Sequence, residues 1–170
     1  MSSYQVIAET GKTIIKLLRE NLAPEPIPKP EMIELCAPYE ENDFRLTVYL
    51  YSIQSNGLFP DSTRQSLDLY YLFTAFSKAE LKTKAYDESY IMGKTMQIMN
   101  QNAILRGSLL EGSLAENNEE LKIILHNLST DDISKIWNFS NIQYKLSVAY
   151  MVSPVYIDST IAANSKRVMK

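Results

Sequence analysis

Two tripeptides in this chain invite a nucleotide-binding reading: Gly11-Lys12-Thr13 and Gly93-Lys94-Thr95. A phosphate-binding loop needs a second glycine five residues before the last one, so that bare backbone can wrap the phosphate, and it must sit between a strand and a helix. Those earlier positions hold Val6 and Glu88. Both triplets also fall inside segments with helical patterning. The plainer expectation is a small residue where helices pack closely.

The remaining reactive side chains are sparse. His126 is the single histidine and Cys36 the single cysteine. Together they cannot build a His/Cys zinc site, and one cysteine cannot form an internal disulfide. No Gly-x-Ser-x-Gly elbow accompanies His126, so a hydrolase triad has no nucleophile. Cys36 reads as a small buried hydrophobe. Asn127-Leu128-Ser129 and Asn138-Phe139-Ser140 match the glycosylation acceptor pattern, but without a secretory signal the match carries no weight. The acidic runs Glu40–Asp43, Glu119-Glu120 and Asp131-Asp132 read as solvated turns and helix-start charge. The expectation is therefore no catalytic residues, no cofactor and no metal.

The elements that carry these residues follow from periodicity. Tyr4–Leu22 is a helix with Ile7, Ile14, Leu17, Leu18 and Leu22 on one face and Ser2 or Ser3 as its cap. Pro24–Pro30 alternates proline and reads as a stiff, extended crossing loop. Met32–Cys36, Phe44–Ser55, Gln65–Phe76, Glu120–Leu125 and Tyr144–Ile157 read as strands, with Asn56-Gly57 a turn and Pro154 an edge or bulge. Tyr86–Asn102 is a second helix burying Ile91, Met92, Met96 and Met99. Residues 103–118 read as irregular. A third helix starts at Ser129, where Asp132 completes a capping-box variant, with Ile133, Ile136 and Trp137 facing inward. The class is α+β: a mainly antiparallel sheet of about four to five strands with about three helices. Residues 1–158 form a single domain, and 159–170 a flexible tail.

With 170 residues, 45% apolar and 22% charged, the chain has the balance of one soluble globular domain. Its 17 Lys+Arg against 20 Asp+Glu give a net charge of −3, without the basic field that non-specific nucleic-acid binding uses. The longest charge-free run, Leu46–Pro60, has 15 residues and several polar ones, too few for a membrane-spanning helix. The start carries Glu9 and Lys12 and is not a signal peptide, so a cytoplasmic origin is expected.

One pattern goes beyond a plain soluble domain. The long strands are apolar or aromatic on both faces. Tyr49, Tyr51 and Ile53 oppose Val48 and Leu50; Tyr70, Leu72 and Phe76 oppose Leu69, Tyr71 and Phe73. A sheet with one wet face alternates with polar residues instead. The chain also has 11 tyrosines, a residue suited to surfaces that are apolar on one side and wet on the other. This points to an intermolecular surface, with Tyr49, Tyr51 and Tyr70 as the candidate subunit-facing residues.

Several stretches resemble the N-terminal domain family of tail-tube terminator (cap) proteins from phage-tail-like contractile injection systems of the virulence-cassette and antifeeding-prophage type. They are Tyr4-Gln5-Val6-Ile7 leading into Leu17-Leu18, Leu46–Ile53, Leu67–Phe76, Gly93-Lys94-Thr95-Met96-Gln97-Ile98-Met99, Leu128–Trp137 and Tyr144–Tyr150. Tyr70 stands where many relatives carry His, and Arg64-Gln65-Ser66 replaces a proline pair. The resemblance implies a tail-terminator-like fold and a structural protein that is not an enzyme. It implies a homo-oligomeric ring, a hexamer, capping the inner tube protein at the end distal to the baseplate. It further implies assembly in the bacterial cytoplasm into a particle that can be released, with neither nucleic acid nor membrane insertion. Many relatives continue into a long C-terminal region, to which holding the sheath belongs; the sheath protein is thus a further candidate partner. The alternatives are an adaptor joining other tail or baseplate components, and a small-ligand or nucleotide-binding enzyme using Lys12 or Lys94.

Overall fold

The computed structural model describes residues 4–40, 43–57, 63–138 and 143–159. The chain runs α1 (Val6–Leu22), β1 (Ile33–Leu35), β2 (Leu46–Ser55), β3 (Arg64–Ala75), α2 (Leu81–Gln101), β4 (Ile104–Leu105), α3 (Ser113–Glu116), β5 (Leu121–His126), α4 (Thr130–Ile136) and β6 (Ser147–Asp158). The strands form one six-stranded sheet in the order β1-β2-β3-β6-β5-β4. Every neighbouring pair is antiparallel except β1 with β2.

The α+β class and the long antiparallel strands are as the pattern predicts. The count differs by β4 and α3, both inside the stretch read as irregular. Two and four residues are too few to show any periodicity, and their neighbours position them instead. The expected Ser2 or Ser3 cap lies outside the described residues; Gln5 precedes α1 and gives it no side-chain cap. Pro24–Pro30 is a loop as expected, but made of turns rather than extended backbone, and Ile27 within it is fully buried. The expected tail lies outside the described residues from 160 onward.

The core lies on one face of the sheet. Leu67, Leu69, Tyr71, Phe73 and Ala75 of β3 meet Ile14, Leu17, Leu18 and Leu22 of α1 and Ile91, Ile98 and Met99 of α2 in one buried cluster. Arg45, just ahead of β2, fixes α2 against the sheet. Its Nη2 lies 2.7 Å from Asp87 Oδ2 and its Nε donates to the Phe76 carbonyl at 3.0 Å. Ser77 Oγ donates to the same Asp87 carboxylate. With the Arg45 side chain only 12% exposed, this is a charge-assisted anchor rather than a surface pair.

Two bulges shape the long strands. Between Leu50 and Ser52, β2 carries one residue more than β3, and that residue is Tyr51. Between Val152 and Val155, β6 carries an extra residue opposite β3, at Ser153-Pro154. The proline thus marks a bulge in an inner strand, where a missing N–H would otherwise break the ladder.

Candidate assembly surface

The bulge at Tyr51 reorders the side chains of β2. Before it, Val48 and Leu50 pair with Phe73 and Tyr71 on the core face, and Tyr49 pairs with Leu72 on the other. After it, Ile53 pairs with Leu69 and so joins the core side, while Ser52 and Gln54 pair with Tyr70 and Asp68. Ile53 therefore does not share a face with Tyr49, as simple alternation predicts; the extra residue shifts the period.

Tyr70 is 9% exposed and sits at the middle of the face opposite the core. Its ring lies 4.9 Å from His126, edge-on, and 6.2 Å from Tyr51. Burial raises its phenol, with the Asp68 carboxylate adding to the effect. Tyr51 is half-buried, and its hydroxyl is shielded with no hydrogen-bond partner. Burial first, then Tyr70 and Asp132, push its pKa up to about 12. Tyr49 is half-buried. Tyr51 and Tyr70 are thus neighbours, while Tyr49 shares the face opposite the core through its pairing with Leu72, and Tyr70 is covered by its own chain.

Asp132 enters this neighbourhood from α4. Ser129 caps the helix: Asp132 N–H donates to Ser129 Oγ at 3.2 Å, and Asp132 Oδ2 accepts from Ser129 Oγ at 2.6 Å and from Ser129 N–H at 3.2 Å. These bonds to Ser129 hold the Asp132 carboxyl below its usual range. Trp137, at the end of the helix, is 8% exposed, as expected of an anchor. It is buried outside the main cluster, with Tyr144 edge-on at 5.6 Å.

The two Gly-Lys-Thr triplets part company. Gly11 packs against Leu35, and a β-carbon there would lie 2.7 Å from Leu35 Cδ2. Gly93 meets nothing within 4 Å and lies exposed on α2, so close helix packing explains only the first. Beside Gly93, Lys94 Nζ donates to Gln97 Oε1 at 3.0 Å, and Tyr86 and Tyr90 stack on the same outer surface with centroids 6.5 Å apart. Lys12 lines an open groove of ≈550 Å³ with Lys16, Arg19, Glu34 and Glu111. There Lys16 is paired to Glu111 at 2.6 Å and Arg19 to Glu34 at 2.9 Å. Both triplets lie within α1 and α2, away from the strand-to-helix turns where a phosphate loop forms. Cys36 is half-buried, and burial, then Glu40 and Glu34, push its thiol up to about 11, which leaves it a poor nucleophile at neutral pH. Among the described residues no group of His, Cys, Asp and Glu could hold a metal ion, and no helix is long and apolar enough to cross a membrane.

Ile53, Ile124 and Leu125, at the sheet's lateral strands, are 46%, 47% and 44% exposed. The sequence pattern pointed to the tyrosines; it missed Ile124 and Leu125, because their exposure depends on how short β4 is.

The Pvc16 N-terminal domain family matches residues 9–170. The chain belongs to that family. Its fold is that of the sheath/tube terminator of the PVC extracellular contractile injection system in its extended state, with a TM-score of 0.62 and 15% identity over 100% of this chain and 65% of that one. The tube-terminating cap of the anti-feeding prophage is similar, with a TM-score of 0.58 and 12% identity over 90% of this chain and 55% of that one. The Pvc16-family chain thus spans about two-thirds or less of the length of these structures. A comparison with curated protein sequences returned no match.

Proposed function

We propose that this Pvc16-family domain is a structural cap that terminates the inner tube of a contractile injection particle at the end distal to the baseplate. The observation that carries the reading is the family match over 9–170, joined to a fold shared with two tube-terminating proteins. Residues 1–158 act as the capping unit. The cap works as a homo-oligomeric ring, six subunits on a six-fold tube, each contacting its neighbour through two different patches. Tyr49 and Tyr51, the latter beside Tyr70, belong to the contact surface. The inner tube protein is the first partner and the sheath protein a second. The protein acts by binding, with no catalysis and no cofactor, and assembles in the bacterial cytoplasm before the particle forms.

Electron microscopy of particles made with and without the chain tests this. A cap predicts density for the subunit at the tube end, and tubes of abnormal length when it is missing. Normal tube lengths in its absence, or density elsewhere in the particle, would favour an adaptor and sink the proposal.

A further inference from the structure

The two lateral edges of the sheet are protected over part of their length and open over the rest. On one side β1 covers only Leu46–Val48 of β2. The outer side of β1 is closed by side chains: Arg19 Nε and Nη2 donate to the Ile33 carbonyl at 3.0 and 2.8 Å, and Glu34 Oε1 accepts from the Leu35 N–H at 2.9 Å. Among the described residues no strand flanks β2 on that side past Val48, so Tyr49–Ser55 is an edge there. It carries no charge and no proline, and Ile53, Gln54 and Ser55 are exposed. On the other side β4 covers Leu121 and Lys122, and the Ala103 carbonyl accepts the Ile123 N–H at 2.8 Å. Beyond that point Ile124, Leu125 and His126 pair with β6 alone. Soluble proteins usually guard such edges with lysine, proline or a cover, because free N–H and C=O groups recruit another strand. Beyond the Tyr51 bulge, neither open stretch has such a guard among the described residues.

We infer that Ile124–His126 of one copy adds as an antiparallel strand to Ser52–Gln54 of the next, so that the ring closes as a continuous sheet; this rests on the ring reading above. Direction permits it. β2 and β5 run opposite ways within one sheet, and rotation about a ring axis from which the strands are tilted, as in a barrel, keeps those strands antiparallel across the seam. Face parity then fixes the register. Ile53 lies on the core face through Leu69, and Leu125 through Tyr150 and Tyr71. Ser52, Gln54, Ile124 and His126 lie on the opposite face. Ile53 must therefore oppose an odd-numbered residue of β5. Ile123 already donates to Ala103, which leaves Leu125. Gln54 then meets Ile124, and Ser52 meets His126. The pairing ends there, because Ala103 and β4 already occupy the edge beside Ile123 and Lys122. Within one chain Leu125 is level with Leu50, through Tyr150 and Tyr71, so this register staggers each copy along the strands. Stagger of this kind is what closure of a sheet into a barrel requires, and it carries β4 toward the end of β2.

Cross-linking tests the register. In a Cys36→Ser background, Ile53→Cys and Leu125→Cys are made singly and together; both sites are about half exposed, so the fold tolerates them. Directly opposed strand residues bring their α-carbons to within about 5.5 Å, inside disulfide range. Oxidation of capped particles should convert the double variant's monomer band into a ladder that ends at the ring number. Separately tagged single variants, mixed before assembly, should cross-link only as Ile53→Cys with Leu125→Cys. A ring visible at the tube end with no ladder would overturn the strand pairing and leave the ring reading standing. Micrographs with no ring would overturn both.

Discussion

Gly11 and Gly93 head the same tripeptide on two helices, yet alanine at each should act in opposite ways. Mid-helix alanine is worth about 0.8–1.0 kcal/mol over glycine, because it restricts the unfolded chain and shields the helical backbone. At Gly93 an added β-carbon meets nothing within 4 Å, so the whole gain should be realised. For a domain of this size that is a rise in Tm of roughly 2–4 °C. At Gly11 the same carbon would lie 2.7 Å from Leu35 Cδ2 and 3.3 Å from Cδ1. Leu35 must move, and overpacking of this kind costs about 1–3 kcal/mol. Leu35 is 38% exposed and can turn outward, which places the cost toward the lower end and cancels the helix gain. Gly11→Ala should therefore melt at or below the wild-type temperature while Gly93→Ala melts above it, by circular dichroism at 222 nm with urea titration as a check. Equal gains at both sites would refute the close approach of α1 to β1. A loss at Gly93 would refute the open setting of α2.

Arg45→Ala should destabilise by about 1.5–3 kcal/mol in urea, since it strips the Asp87 carboxylate and the Phe76 carbonyl of one charged donor. Trp137→Ala should cost about 3 kcal/mol, the low end for a buried tryptophan, because it packs on Tyr144 outside the main cluster; an unchanged melt would contradict its burial. Tyr51→Phe removes a shielded hydroxyl that has no partner, so stability at pH 7 should hold or rise by about 1 kcal/mol. Its folded pKa of about 12 lies above the ordinary 10.0, so the unfolded phenol ionises first and stability is lost as pH climbs between them; Tyr51→Phe should lessen that alkaline loss. Asp132 has a depressed folded pKa, so its charge stabilises above the ordinary 3.8 and ceases to as pH falls through the folded value. Wild type and Asp132→Asn should differ at pH 7 and converge in acid titrations.

The sequence alone determined the elements whose signal is local and repeated. The i, i+3, i+4 spacing of Ile14, Leu17, Leu18 and Leu22 placed α1, period-2 apolar runs placed β2 and β3, and Ser129 with Asp132 placed the start of α4. It also set the expectation of no metal or nucleotide chemistry of the familiar kinds, because those need residues at spacings this chain does not have. Tertiary structure decided everything that depends on a partner across space. Whether a helical glycine is a contact or an open site cannot be read from Gly-Lys-Thr, since the answer for Gly11 is Leu35, 24 positions away. Tyr70, expected on an open face, is covered by its own chain. The one-residue bulge at Tyr51 turned Ile53 to the core side, a shift that alternation cannot register because it comes from pairing with β3. The open edges of β2 and β5 exist because β1 and β4 are short, and strand length at an edge is set by neighbours rather than by the strand's own residues.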